Sequence, residues 1–200
     1  MDLRQTESGI YYIHDYYSPK RFPRVTQEQE DLRSLMWIYK DQLHEAALRR
    51  FTDELMEAIT LISQDIRLSK IGLVAVPPSK TYKKSPIRTS IRRIHDWYEE
   101  GITQTRFGCD KTIYDYGNLL MRIYDIKTAH KEGRTTYEEQ KPSIACSRDR
   151  LWRYRTAFII LDDVTTKGIS MDVCRDILID NGANEENIYR LAIARNRYRA

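Results

Sequence analysis

One stretch limits what this chain can fold into more than any other: Phe158-Ile159-Ile160-Leu161-Asp162-Asp163-Val164-Thr165-Thr166-Lys167-Gly168-Ile169-Ser170. Four bulky apolar residues run into two adjacent acids, and a hydroxyl-rich loop with one glycine follows. An apolar run without polar alternation fits a strand buried on both faces, hence a parallel sheet covered by helices on each side. Met171 to Asp180 then places Val173, Ile177 and Leu178 on one side, the spacing of an amphipathic helix. The expectation is strand, tight loop, helix, with polar groups gathered where the strand ends. In open α/β sheets that carboxyl end is where ligands bind. The free N–H groups of a helix start favour an anion, and Gly168 lets the backbone approach one closely. Thr165, Thr166 and Ser170 add hydroxyl donors, and Lys167 adds positive charge. Asp162 and Asp163 repel a phosphate, so they suit the neutral hydroxyls of a sugar or a bound cation.

A second apolar run, Ile71-Gly72-Leu73-Val74-Ala75-Val76, stops at Pro77-Pro78-Ser79-Lys80. The prolines end the strand, and Ser79 and Lys80 bring a donor and a charge to its end. Lys83, Lys84 and Arg88 follow closely. Taken alone, Pro-Pro-Ser-Lys is also an ordinary surface turn.

Four apolar residues, two acids and a Thr/Gly loop resemble the signature by which type I phosphoribosyltransferases bind phosphoribosyl pyrophosphate (PRPP). The resemblance implies an α/β fold of that family, a mainly parallel sheet flanked by helices, over residues 69–200. Residues 1–68 are then an N-terminal arm and helical lobe. It further implies that Asp162 and Asp163 hold the ribose hydroxyls. The segment Thr165, Thr166, Lys167, Gly168, Ile169 and Ser170 cradles the 5′-phosphate. Ser79 and Lys80 grip the pyrophosphate, and Lys83, Lys84 and Arg88 are placed to share that role. The family usually carries Thr-Thr-Gly where this chain has Thr166-Lys167-Gly168. Tyr124 to Arg134 corresponds to the mobile loop that closes over substrate, with Lys127 and Arg134 as its catalytic cations and Gly133 as a hinge; a plain surface loop has the same composition. The implied reaction transfers phosphoribose to or from a nitrogenous base, with pyrophosphate leaving from C1. Magnesium enters through PRPP and water, Asp162 and Asp163 helping indirectly, with no direct protein ligand. The alternative is a non-catalytic PRPP- or nucleotide-binding regulator, or a subunit of a larger, nucleic-acid-associated assembly.

The rest of the chain narrows the setting. Hydrophobic residues make up 41% and charged residues 31%, which suits a soluble globular protein. A net charge of +4 argues only weakly for nucleic acid. Three widely spaced cysteines form no metal motif and no disulfide framework, and no leader or membrane span is visible, so a cytoplasmic protein is expected. Cys174 reads as packing. In residues 1–26 the tyrosines at 11, 12, 16 and 17, with Lys20, Arg21 and Arg24, make an arm that packs on the body or on a partner, or stacks nucleic-acid bases. Thr26 with Gln29 marks a helix start. Apolar residues from Leu32 to Ile66 recur at threes and fours, giving one long helix or two, with Glu45 and Arg49 as a supporting pair and the stripe serving core or self-association. Ser85-Pro86 opens a helix that Gly101 stops. Leu119 to Ile123 fits a strand or part of a helix, with strand preferred, 135–147 reads as a short helix broken at Pro142, and Ile188 to Ala194 as a strand. Little chain follows before Ala200, so the base-binding part is expected to come from the N-terminal lobe or to be minimal.

Overall fold

The structure, a computed structural model, describes residues 1–42, 44–126, 136–147 and 155–197. Its elements in order are β1 (Arg4–Gln5), β2 (Tyr11–Tyr16), α1 (Gln27–Gln42), α2 (Glu45–Asp65), β3 (Lys70–Ala75), α3 (Pro86–Glu99), α4 (Ile102–Phe107), β4 (Thr112–Asp115), β5 (Leu120–Arg122), α5 (Tyr137–Gln140), β6 (Ile144–Cys146), β7 (Thr156–Thr165), α6 (Ile169–Asp180) and β8 (Ile188–Asn196). Six strands form one sheet in the order β1-β2-β8-β7-β3-β4. Every neighbour pair in it is parallel except β1 with β2. β5 and β6 pair antiparallel in a separate two-stranded sheet.

The central strands β3 and β7 are apolar because both their faces are covered. On one face Ile71, Leu73, Ala157, Ile159 and Leu161 share a core with α1, α2 and α3. On the other, Val74, Phe158 and Ile160 pack with Met171, Cys174 and Leu178 of α6. The reason lies in handedness. The β3–α3–β4 crossover steps one way along the sheet and β7–α6–β8 steps the other. Right-handed crossovers in opposite directions lay their helices on opposite faces.

The structure decides several of these expectations and changes others. The tyrosine-rich arm packs on the body as a strand of the sheet: β2 runs parallel to β8, with Tyr12 opposite Ala192 and His14 opposite Ala194. Its three tyrosines and Ile13 are residues that favour a strand. The long helical stretch is two helices, and its stripe is core: Met36, Tyr39, Phe51, Leu55, Ile59 and Ile62 are all buried. Glu45 pairs with Arg93 of α3 rather than with Arg49, the Arg93 Nη1 lying 2.9 Å from its carboxylate. The strand was expected to stop at Leu161, yet β7 continues to Thr165 because β8 offers it partners, Asp162 facing Ala192 and Thr165 facing Arg195. The helix after it starts at Ile169, two residues earlier than the apolar spacing indicated.

Other expectations hold. Gln29 N–H donates to Thr26 Oγ1 at 3.4 Å, and Thr26 N–H donates to the Gln29 side chain at 3.1 Å, a reciprocal cap on α1. Ser85 caps α3 and Gly101 follows its end in the left-handed region. The strand near 119–123 is β5. The 135–147 segment is α5, a 3-10 turn through Pro142, then β6.

Candidate functional site

The site lies at the carboxyl edge of the sheet. Ala75 at the end of β3 stands opposite Leu161 of β7, and Val76 N–H donates to the Leu161 carbonyl at 2.9 Å. From β3 the chain moves outward to β4, then returns to the other side of β3 to form β7. Strand order reverses between β3 and β7, and a crevice opens where loops diverge from such a point. Both loops singled out in the sequence, 76–85 and 166–168, leave the sheet there.

The loop after β3 is held by residues the sequence reading did not assign. Pro77 and Pro78 have no N–H, but their carbonyls still need donors. Arg122 of β5 supplies both: Nη2 reaches the Pro77 oxygen at 3.2 Å and Nε the Pro78 oxygen at 3.1 Å. Its Nη1 donates to Ser143 Oγ. Arg122 is buried, and burial lowers the pKa of its guanidinium. Asp125 accepts from Thr81 N–H at 2.8 Å and from Thr81 Oγ1 at 3.0 Å. The Thr81 amide, with Lys80 beside it, holds Asp125 below the usual carboxylate range. Lys80 therefore is not a free cation: its Nζ lies 3.5 Å from Asp125. Ile126 N–H closes the tie by donating to the Ser79 carbonyl at 3.0 Å. The only sequence signal for Arg122 is a lone cation inside an apolar strand, Leu119-Leu120-Met121-Arg122-Ile123. For Asp125 there is none.

The paired acids are split by the pleat. Successive residues of a strand point to opposite faces, and Asp162 and Asp163 are both within β7. Asp163 points toward the helices α1 and α2 and meets Lys40 of α1, with Nζ 3.0 Å from Oδ1. The same oxygen accepts from Val164 N–H. Burial alone lowers the Lys40 pKa, but Asp163, with Asp162 behind it, outweighs burial and raises it above its ordinary value. Asp162 accepts from Asp163 N–H at 2.8 Å. Burial, reinforced by the Asp163 charge, pushes its carboxyl up to about 8. The Cys174 thiol on the α6 side is pushed up by burial and then by Asp162. On the α1 side, burial raises the phenol of Tyr39, which sits 3.0 Å from Ser90 Oγ, and the two acids add to the shift. Lys40 went unassigned in the sequence, and Tyr39 read only as part of the apolar stripe, because only packing of α1 on the sheet brings them near the acids.

The turn itself is tightly built. Gly168 has φ of 82°, in the left-handed region that favours glycine. A Cβ there would lie 2.3 Å from Ile10 Cδ1. Thr165 is buried, Thr166 and Lys167 are exposed, and Ile169 and Ser170 are half-buried. No side chain caps the start of α6, which leaves its first amide donors without a side-chain acceptor. Asp172, the acid in that first turn, is taken up by Arg190.

Two further side chains can be located. Cys174 is buried in the core, as packing requires. His95 lies 3.8 Å from Glu99 on the outer side of α3. Lys127 and Arg134 lie outside the described residues. Among the described residues no cluster of three metal-ligating side chains occurs. No described helix is long and apolar enough to cross a membrane. No protein-family model matches the chain, and a search of curated proteins finds no match to its sequence.

Proposed function

We propose that the chain binds PRPP at the carboxyl edge of β3 and β7 and acts as a phosphoribosyltransferase. One observation carries this reading: the Pro77–Lys80 loop and the Thr166–Gly168 turn leave neighbouring parallel strands at the point where strand order reverses. In this reading the uncapped amides of α6, with Thr165, Thr166, Lys167 and Ser170, receive the 5′-phosphate. Gly168 keeps the turn close to it. Ser79 and Lys80 receive the pyrophosphate, presented by a loop that Arg122 and Asp125 hold in shape. Asp162 and Asp163 serve the ribose. An acid held in a protonating environment without a full set of partners is a functional-site candidate on physical grounds.

Magnesium fits this site in the indirect role. The Asp163 carboxylate beside Lys40 forms no closed oxygen shell, but it can hold the waters of an ion that arrives on a diphosphate. When bound, it neutralises charge on the leaving pyrophosphate. The chain's own part is positioning and fixed positive charge.

A specific observation supports a second reading, a PRPP- or nucleotide-binding regulator without transfer activity, alone or as part of a larger assembly. Lys40 already occupies Asp163, and the pleat sends the two acids apart, so a sugar meeting both requires α1 to yield. Titrating PRPP into the protein by calorimetry, with and without magnesium, tests the shared premise. Pyrophosphate release over a panel of nitrogenous bases separates transferase from regulator. Asp163→Ala is expected to abolish PRPP binding; a folded variant that still binds would defeat the site assignment.

A further inference from the structure

Beyond the β3–β7 edge, a groove of ≈ 380 Å³ opens between α3 and the carboxyl end of β4. Three arginines of α3, Arg88, Arg92 and Arg93, line it with Asp96, Asp115 and Asn118. The spacing explains the first pair: Arg88 and Arg92 are four residues apart and share one side of the helix. The three arginines are differently engaged. Arg93 is held by Glu45, and Arg92 is exposed with no ion pair among the described residues. Arg88 is the informative one. Its Nη2 donates to the Leu120 carbonyl at 3.0 Å, but its Nε is buried and has no acceptor. Burial lowers the pKa of this guanidinium. That Nε has no exposed surface, so a ligand in the groove meets this guanidinium through Nη1, which has no acceptor among the described residues.

We propose that this groove is a second ligand site, which takes the phosphoryl group of a small phosphorylated molecule on Arg88 and Arg92. The planar fork of arginine matches phosphoryl oxygens two at a time, so Arg88 Nη1 and the exposed Arg92 can be satisfied together. The acids set the size and class of the ligand. Asp96 and Asp115 at the groove repel an extended polyanion such as a nucleic-acid backbone. They accept instead from hydroxyl or amino groups lying beyond a single phosphoryl group. The site does not depend on the phosphoribosyltransferase reading, because the groove lies at β4, two strand positions from β7.

The test is a titration of inorganic phosphate, at constant ionic strength, into full-length protein labelled with ¹⁵N in arginine. The expected result is that the Arg88 and Arg92 Nε–H signals move together along one saturation curve. Arg92→Gln, an exposed change that should leave folding intact, is expected to weaken that curve roughly tenfold or more, the loss of a charge-assisted contact. Lys167→Gln, at the turn proposed for the other phosphate, is expected to leave it unchanged. Arg88 and Arg92 signals that stay still in phosphate at tens of millimolar would overturn the proposal. So would an Arg92→Gln curve equal to that of the wild type. Tighter binding of a single-stranded oligonucleotide through these same arginines would overturn it as well, in favour of a nucleic-acid face.

Discussion

Replacing Gly168 by alanine tests the construction of the turn on which the proposed phosphate site rests. Two penalties add. At φ of 82° an alanine Cβ meets its own backbone, which costs about 1 kcal/mol relative to glycine. The new Cβ also stands 2.3 Å from Ile10 Cδ1, and Ile10 is 1% exposed, so the methyl has little space to move into. Overpacking of this kind costs about 1–3 kcal/mol. The sum is about 2–4 kcal/mol, a large part of the stability of an ordinary domain. For a chain of this size it corresponds to a drop in Tm of roughly 5–15 °C. Urea unfolding and calorimetry of the variant measure it directly. The two penalties separate through Ile10→Val, which removes the colliding Cδ1. By itself that change costs about 0.5–1.5 kcal/mol, yet in the alanine background it should recover roughly 1 kcal/mol or more. Strict additivity of the two substitutions, or an alanine variant as stable as the wild type, would refute the contact. The turn would then be looser than the site requires.

Four other outcomes follow from the same structure. Asp162→Asn should stabilise the protein increasingly as pH rises: the folded carboxyl, pushed up to about 8, keeps its proton while the unfolded one loses it near 4, so between these values the wild type loses about 1.4 kcal/mol per pH unit. Denaturation at pH 5 and pH 8 measures this, and equal pH slopes for the two proteins would contradict it. Lys40→Met should cost about 1–2 kcal/mol at neutral pH by leaving Asp163 half-buried without its cation, and urea unfolding of the variant measures it. Arg122→Met should cost about 2 kcal/mol, because the Pro77 and Pro78 carbonyls lose their donors, and should speed amide exchange at Thr81 and Ile126. Thr26→Ala should cost about 1 kcal/mol through loss of the Oγ1 acceptor at the start of α1, read by thermal unfolding.

Local order was legible wherever neighbours in the chain decide it. The apolar runs at 71–76 and 158–161 announced a sheet covered on both faces, since no half-exposed strand tolerates such a pattern. Thr26 with Gln29, Ser85-Pro86 and Gly101 marked helix boundaries because caps act within one turn. The order of strand, turn and helix around Gly168 was visible too. The candidate site was legible only as two loops at strand ends.

What joined those loops came from the fold. Which strands neighbour each other depends on crossovers of many residues, and no local signal records that β2 inserts beside β8 or that β3 and β7 adjoin. Hydrogen bonds from β8 carried β7 past the acids, and the pleat then turned Asp162 and Asp163 to different faces. Lys40 meets Asp163 across 123 residues of chain, and Arg122 reaches Pro77 across 45. Periodicity and propensity act over a few residues, whereas burial and charge act through space. The chain could therefore declare its strands, caps and turn, while the protonation of Asp162, the pairing of Asp163 and the shape of the Pro77–Lys80 loop waited on packing.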